Sequence, residues 1–153
     1  MASALIPTLL QAGQQVRALV RPEAKASGLK DQGVEVVVGD LEEPETLDAA
    51  VADVDNIYLL LSNGPNGAQQ GTHLIEAVKR SGGRPHVVRH GMFGDSRSRL
   101  NDQHDQVAAA LAESGLPVTT LRPTFFMQNT LGGAEAVASA ASSTSPWTTP
   151  SWR

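Results

Sequence analysis

Short apolar segments rich in Val, Ile and Leu alternate along the chain with segments whose apolar residues recur at helical spacing. The strand-like segments are Val16 to Arg21, Val34 to Gly39, Ile57 to Ser62, His86 to Arg89 and Val118 to Leu121. Strands that are joined by helices pair in parallel, because a parallel connection needs a crossover. The sequence therefore predicts a doubly wound α/β fold, with helices on both faces of a parallel sheet.

The helical segments carry their own start and stop signals. Pro44 suits the first turn of a helix whose apolar face includes Val51. Gly82 and Gly115 are predicted to end the next two helices, since glycine readily adopts the left-handed conformation of a helix end. The second of these two helices has an apolar stripe at helical spacing, made of Leu100, His104, Val107 and Leu111.

Composition and charge narrow the functional classes. A net charge of -4 with scattered arginines argues against a nucleic-acid partner. The absence of cysteine excludes disulfides and thiol catalysis, and His86 and His90 have no carboxylate pair at ligand spacing, so we expect no metal site. Apolar runs such as Ile57 to Leu61 are far shorter than the roughly 20 residues that span a bilayer, so we expect a cytoplasmic protein without a membrane partner.

The composition changes near the C-terminal end of the chain. From Ala138 onward the residues are mostly Ser, Thr, Ala and Pro, without a hydrophobic period. We predict one α/β domain over residues 1–137 and a disordered tail over residues 138–153. Docking of Trp147 and Trp152 on the domain stays open as the alternative.

Two basic residues follow the first predicted strand. Ligands of parallel α/β sheets bind at the carboxyl ends of strands, and Arg21 and Lys25 stand at this end. A guanidinium and an ammonium suit a phosphate such as the 2′-phosphate of NADP, which would favour NADP over NAD. Solvated loop cations would have the same spacing, so both interpretations remain open on these residues alone.

The next two strand ends also carry polar residues. Asp40 can accept hydrogen bonds from an adenine amine, although capping of the following turn is the simpler interpretation. The loop in LLLSNGPNG, which contains Ser62 and Asn63, would admit a flat ligand close to the main chain. A plain turn explains this loop equally well.

Several of these segments, read in order, resemble one known family. The segments RALVR, VVVGDL, RPHVVRHGMFG and SGLPVTTLRPTFFMQN are similar to those of the NmrA-like group of atypical short-chain dehydrogenases/reductases, over about Ala4 to Asn129. The last segment is the most specific. The resemblance implies a Rossmann-type fold that binds NADP, with NAD as a further option. It also implies either NADPH-dependent reduction of small electrophiles such as quinones, or nucleotide sensing without turnover.

The resemblance also implies roles for individual residues. The adenosine half of the cofactor would contact residues at the first three strand ends: Arg21 and Lys25 near the 2′-phosphate, Asp40 and Leu41 beside the adenine, Leu61 and Ser62 on the ribose side. The nicotinamide loop would contain Pro123, Thr124 and Phe125. The wall of the substrate pocket would contain Phe126, Met127, Gln128 and Asn129.

His104 is the remaining candidate for a contact with the substrate. Its place in the apolar stripe predicts that it faces the sheet or the cleft, where a neutral imidazole could donate to a substrate carbonyl. The favoured alternative is a buried histidine that bonds a backbone carbonyl.

Two parts of the family pattern do not occur in this sequence. The family opens with a strand and a G-x-x-G-x-x-G turn that holds the pyrophosphate, whereas this sequence opens with the helical segment Ala4 to Gln11. We therefore expect a missing strand between those at Val16 and Ile57, and weak NADPH binding. A C-terminal substrate region is also expected to be missing after Asn129.

The catalytic Tyr-x-x-x-Lys pair does not occur either. The one tyrosine, Tyr58, is followed four residues later by Ser62, and Gly91 stands where related sequences often have a serine. We therefore assign no catalytic residue. Three hypotheses remain: a reductase of small molecules, a regulator that senses a nucleotide or binds a protein, and an inactive fragment of the reductase. A homodimer stays open for each of them.

Overall fold

The computed structural model describes residues 2–21, 26–61, 64–92 and 98–123. The helices are α1 (Ala2–Gln11), α2 (Ser27–Lys30), α3 (Asp48–Val51), α4 (Gly67–Ser81) and α5 (Arg99–Ser114), with a 3₁₀ turn at Pro44–Thr46. The strands are β1 (Arg17–Val20), β2 (Glu35–Val38), β3 (Asn56–Leu59), β4 (His86–His90) and β5 (Val118–Leu121). These elements belong to one compact unit, Met1–Arg122, and the predicted tail over residues 138–153 lies outside the described residues.

The described strands form two parallel sheets. β1 pairs with β2, and β4 lies between β3 and β5. Each pair is parallel; in β3 and β4, for example, Asn56 lies opposite His86. The segment that connects the two strands of each pair contains helical residues. The predicted parallel α/β class is therefore confirmed. β1 and β3 belong to different sheets and do not pair with one another.

Local signals set three of the helix ends. Gly82 follows α4 and Gly115 follows α5, and both glycines have a φ of +71°. The two predicted helix ends are therefore confirmed. The hydroxyl of Ser98 accepts a hydrogen bond from the Asn101 backbone N–H and caps the start of α5.

The prediction of a single helix that begins at Pro44 is wrong in detail. The chain forms the 3₁₀ turn first and α3 only after Leu47. The physical reason is the hydroxyl of Thr46, which donates to the carbonyl of Glu43 at 2.7 Å and accepts from the backbone N–H of Asp40 at 3.0 Å. A side chain that bonds nearby backbone groups competes with regular helical hydrogen bonds.

One apolar core lies beneath both sheets. Its buried members come from α3, α4, α5 and the inner strands, with Leu47, Leu111, Val78, Val87 and Val107 the largest fully buried side chains. Leu19 of β1 and Ile57 of β3 are partly buried and pack against this same cluster. The two sheets therefore share one layer of helices.

The contact between α4 and α5 depends on a glycine. A Cβ atom at Gly71 would lie 2.5 Å from Cγ2 of Val107 and 2.7 Å from its Cγ1. Val107 is 1% exposed and has little room to move. The two helices can pack this closely only because residue 71 has no side chain.

Gly71→Ala should destabilise the fold by about 1 to 3 kcal/mol, because the new methyl group overpacks the core against Val107. Urea unfolding measures the change. Gly28→Ala in α2 is the matched control, since nothing lies within 4 Å of a Cβ there. That control should be neutral or gain up to about 1 kcal/mol from helix propensity. Equal free energies of unfolding for the two variants would contradict the proposed helix contact.

Candidate functional site

Arg21 lies at the carboxyl end of β1. The register pairs Val20 with Val38, so Arg21 follows β1 beside the point where Gly39 follows β2. Its side chain is exposed and makes no hydrogen bond or ion pair with any other residue that the structure describes. The guanidinium is therefore available to an anionic ligand.

Arg17, four residues earlier, is held by the protein itself. Its Nε lies 2.9 Å from Oε2 of Glu35, and its Nη1 donates to the carbonyls of Ala49 at 3.2 Å and Ala52 at 2.5 Å. These contacts bind the guanidinium of Arg17 to β2 and α3. The donors of Arg17 are thus bonded within the protein, whereas those of Arg21 have no partner among the described residues.

Asp40 organises the turn after β2. Its carboxylate accepts a hydrogen bond from the backbone N–H of Glu42 at 3.0 Å, which is the capping role favoured by the sequence. The next carbonyl, that of Leu41, accepts from Nδ1 of His73 at 2.7 Å. Both residues are half-buried. The loop that is predicted to contact adenine is therefore fixed by its own hydrogen bonds and by α4.

Gly39 is needed at the start of this turn. A Cβ there would lie 2.7 Å from Oγ1 of Thr46 and 3.0 Å from Cδ1 of Leu19. The chain passes close to both side chains as it leaves β2. This approach places Asp40 directly after the strand end.

The other predicted contacts are described only in part. Leu61, after β3, is buried, and Pro123, after β5, is half-buried. The remaining predicted residues lie outside the described residues: Lys25, Ser62, Thr124, Phe125, Phe126, Met127, Gln128 and Asn129. Their roles stay predictions.

Arg89 is a buried cation in the middle strand β4. Its side chain is 2% exposed, and it donates from Nη1 to the carbonyl of His104 at 2.8 Å and from Nε to Oγ1 of Thr120 at 3.0 Å. Burial, and then the positive charge of Arg122, lower the pKa of Arg89. No carboxylate in the described part of the chain forms an ion pair with it. The described partners of Nε and Nη1 are therefore neutral oxygen atoms.

His104 lies on α5 and is 7% exposed, so the prediction that it faces inward is confirmed. Burial lowers the pKa of its imidazole, and the positive charge of Arg89 lowers it further, while a hydrogen bond to the backbone of His90 acts in the opposite direction. The ring is therefore neutral at pH 7. Its Nδ1 has no hydrogen-bond partner among the described residues. Contact with a substrate remains a prediction for this residue.

Tyr58 is partly buried in β3. Its ring packs edge-to-face on His90, with centroids 5.4 Å apart, and burial raises the pKa of its phenol. A phenol that moves protons near pH 7 needs the opposite shift. The structure therefore agrees with the sequence in giving Tyr58 no acid–base role.

Gly91 occupies a crowded position after β4. A Cβ there would lie 3.0 Å from Cγ2 of Thr120 and 3.2 Å from Nη2 of Arg89. A serine would require both neighbours to shift. The buried arginine and the glycine at residue 91 are thus two parts of one packing arrangement.

Sequence reasoning missed Arg89. The signal that could have identified it is the alternation along β4, where Val87, Arg89 and Gly91 are buried and the residues between them are half-buried. A cation on the apolar side of a strand indicates a buried hydrogen-bonded site.

A cavity of about 300 Å³ lies away from these strand ends. It is lined by residues of α3, of the loop before β3 and of the end of α4: Asp48, Val51, Ala52, Asp53, Val54, Arg80, Ser81 and Gly83. These residues precede β3 and β4, and no predicted cofactor contact is among them. We therefore place the candidate site at the carboxyl ends of the strands.

Two classes of site are not found in the described residues. They contain no group of three or more His, Cys, Asp or Glu residues that could hold a metal ion. Within the same ranges, no helix has the length and apolar character needed to cross a membrane.

A sequence profile described as NAD(P)H-binding matches residues 1–149. The chain belongs to this NAD(P)H-binding family. The match, together with the structural neighbours given below, confirms the NmrA-like, atypical short-chain dehydrogenase/reductase group that the motifs resemble. A nicotinamide cofactor is thus the ligand of the family, and the strand ends described above are where its adenosine half is predicted to bind.

Relatives of known activity include reductases. An NAD(P)H azoreductase of Xenophilus azovorans is 35% identical over 137 residues, which are 88% of this chain and 48% of that protein. Quinone oxidoreductase 2 of Escherichia coli is 33% identical over 125 residues, which are 80% of this chain and 43% of the relative. The chain spans about half the length of these relatives or slightly less.

Solved structures give the same fold. The NADPH-dependent quinone oxidoreductase of Escherichia coli, in complex with NADPH, has a TM-score of 0.78 and 28% identity, and the match covers 90% of this chain and 50% of that one. The triphenylmethane reductase of Citrobacter sp., in complex with NADP(H), also has a TM-score of 0.78, with 27% identity and coverage of 89% and 51%.

Because burial lowers the pKa of His104, its neutral form favours the folded state. Its contribution to stability is complete above the unfolded pKa of about 6.5 and is lost as the pH falls below that value. His104→Gln should therefore reduce the loss of stability between about pH 6.5 and pH 5, by up to about 1 kcal/mol per pH unit. Urea unfolding at several pH values measures this slope.

Val107→Ala is the control for this experiment. It removes buried methyl groups from the same helix, so it should lower the free energy of unfolding at every pH and leave the slope unchanged. Equal pH slopes for the wild type and His104→Gln would show that His104 does not titrate differently in the folded state.

Proposed function

We propose that this chain contributes the NADPH-selecting part of a reductase that acts on small electrophiles such as quinones and azo compounds. The observation that carries the proposal is the exposed Arg21 guanidinium at the end of β1, which no described residue engages. The names of the relatives support the reaction class, since they include an NAD(P)H azoreductase and a quinone oxidoreductase.

Residues at the strand ends fit the adenosine half of NADPH. Arg21 would donate to the 2′-phosphate, aided by Lys25, and the half-buried Asp40 and Leu41 would border the adenine. The buried Leu61, with Ser62, would line the ribose. The loop of Pro123, Thr124 and Phe125 would border the nicotinamide, with Phe126, Met127, Gln128 and Asn129 toward the substrate.

The bound cofactor would supply the hydride, and this chain would bind and orient it. Reduction of a quinone consumes one hydride and one proton, and solvent can supply the proton. His104 is buried and neutral, so it could serve as a donor only to a substrate that reaches α5. The proposal therefore assigns no catalytic residue to this chain.

A second candidate function is nucleotide sensing without turnover. The absence of a Tyr-x-x-x-Lys pair and the lack of a side chain at Gly91 favour it, because the groups that would move a proton or polarise a substrate carbonyl do not occur at these positions. For both functions we propose a cytoplasmic protein that binds small molecules and no nucleic acid, and a homodimer stays open.

An activity assay distinguishes the two functions. Oxidation of NADPH above background with a panel of quinones and azo dyes would select the reductase.

Arg21→Ala should weaken NADPH binding by about 1 to 3 kcal/mol and leave NADH binding unchanged, because only NADPH carries the 2′-phosphate. Calorimetric titration over a wide range of nucleotide concentrations measures both affinities.

Lys30→Ala is the charge-matched control. Lys30 is an exposed cation at the end of α2, before β2, whereas Arg21 follows β1. Its loss should change neither affinity. Equal losses for NADPH and NADH in Arg21→Ala would refute selection of the phosphate by Arg21.

A further inference from the structure

Two arginine side chains meet at the carboxyl ends of β4 and β5. Arg89 belongs to β4, and Arg122 directly follows β5, whose last residue, Leu121, pairs with His90. A Cβ atom at Gly91 would lie 3.2 Å from Nη2 of Arg89 and 3.6 Å from Cγ of Arg122. Both side chains therefore approach the same point beside Gly91.

Both arginines have N–H donors that the described residues do not use. Nε and Nη1 of the buried Arg89 donate to Thr120 and to the carbonyl of His104, whereas Nη2 has no hydrogen-bond partner in the described ranges. Arg122 is exposed, and no hydrogen bond or ion pair joins it to another described residue. A donor inside the protein that lacks a partner costs free energy, and an oxygen atom of a ligand would offset this cost.

The charges around the two arginines leave this position positive. The charge of Arg122 lowers the pKa of Arg89, and it outweighs the opposite effect of Asp105, an exposed residue of α5. His104 is neutral, because burial lowers its pKa, so it compensates neither guanidinium. Like charges repel each other, and an anion bound beside both of them would remove this repulsion.

We propose that Arg89 and Arg122 together bind a carboxylate, and that the electrophiles accepted at this site carry such a group. The two oxygen atoms of a carboxylate match one donor from each arginine. Two arginines and Asp105 sum to one positive charge, which a carboxylate balances and a phosphate dianion would exceed.

The place of this pair in the chain connects it to the reaction. Arg122 directly precedes Pro123, the first residue of the predicted nicotinamide loop. A substrate held by its carboxylate would therefore lie beside the hydride donor. The identity of the substrate rests on the proposed function, whereas the carboxylate site can be tested without NADPH.

The test of the site is a titration of the full chain, without NADPH, with 2-naphthoate and 2-naphthamide. The two probes have the same rings and nearly the same shape, and only naphthoate is charged. Naphthoate should bind at least about tenfold more tightly, because hydrogen bonds to a charged acceptor are stronger. In proton–nitrogen correlation spectra it should shift the Nε–H of Arg89 and the backbone N–H of Gly91. Equal affinities, or shifts at Arg21 alone, would overturn the proposal.

A charge-removing variant locates the site further. Arg122→Gln keeps a polar, exposed side chain, so the fold should be retained, and circular dichroism verifies this. The variant should bind naphthoate at least about fivefold more weakly and naphthamide with unchanged affinity.

Arg84→Gln is the charge-matched control. Arg84 is an exposed cation that precedes β4, at the opposite end of that strand from Gly91. Its loss should leave the affinity for naphthoate unchanged. An equal loss of affinity in both variants would show that only net charge matters and would refute a site at Arg89 and Arg122.

A turnover assay tests the substrate separately. Methyl red is an azo dye with one carboxylate, and 4-dimethylaminoazobenzene is the same dye without it. With NADPH, Arg122→Gln should raise KM for methyl red at least about fivefold and leave KM for the uncharged dye unchanged. An unchanged KM for methyl red would refute the role of the carboxylate in substrate binding. Binding of naphthoate without NADPH oxidation by either dye would contradict the proposed reductase and support the carboxylate site.

Discussion

The buried guanidinium of Arg89 connects the three elements around the candidate site. It holds the middle strand β4 to β5 through Thr120 and to α5 through the carbonyl of His104. A buried cation is stable only when its donors are satisfied, so the three elements have to keep these positions together. The charge also helps to keep His104 neutral, and the guanidinium leaves little room for a side chain at residue 91. The pKa of His104 and the packing beside Gly91 thus both depend on the side chain of Arg89.

The sequence predicts those parts of the fold that depend on local signals. Segments rich in Val, Ile and Leu located each strand that the structure describes, and Gly82 and Gly115 end their helices because glycine adopts positive φ at low cost. The hydrogen bonds of Arg89 join residues 15 and 31 positions apart, and no local pattern contains both partners. The 3₁₀ turn at Pro44–Thr46 depends on the hydroxyl of Thr46, whose competition with the backbone is invisible to hydrophobic periodicity.

For the candidate cofactor contacts, too, the sequence predicts what depends on neighbouring residues and misses contacts between residues far apart in the chain. The sequence singles out Arg21 by its place at the end of the strand and gives no signal for the contacts of Arg17. The structure distinguishes them because the carbonyls at the end of α3 reach Arg17 and not Arg21. Asp40 was predicted both as a cap and as an adenine contact, and its bond to Glu42 uses one carboxylate oxygen for the cap. Membership of an NAD(P)H-binding family gives these strand ends their ligand class.

The parallel pairing also bears on how the chain folds. The first paired residues are 18 positions apart in β1 and β2 (17 to 35), 30 in β3 and β4 (56 to 86), and 31 in β4 and β5 (87 to 118). No strand can gain a ladder hydrogen bond until a loop of that length has closed, and the entropy of closure is lost first. Helices α4 and α5 form from local contacts, so they can exist before the sheets and bring the strand ends together. The ladder hydrogen bonds of each sheet therefore have to offset the entropy of closing these loops.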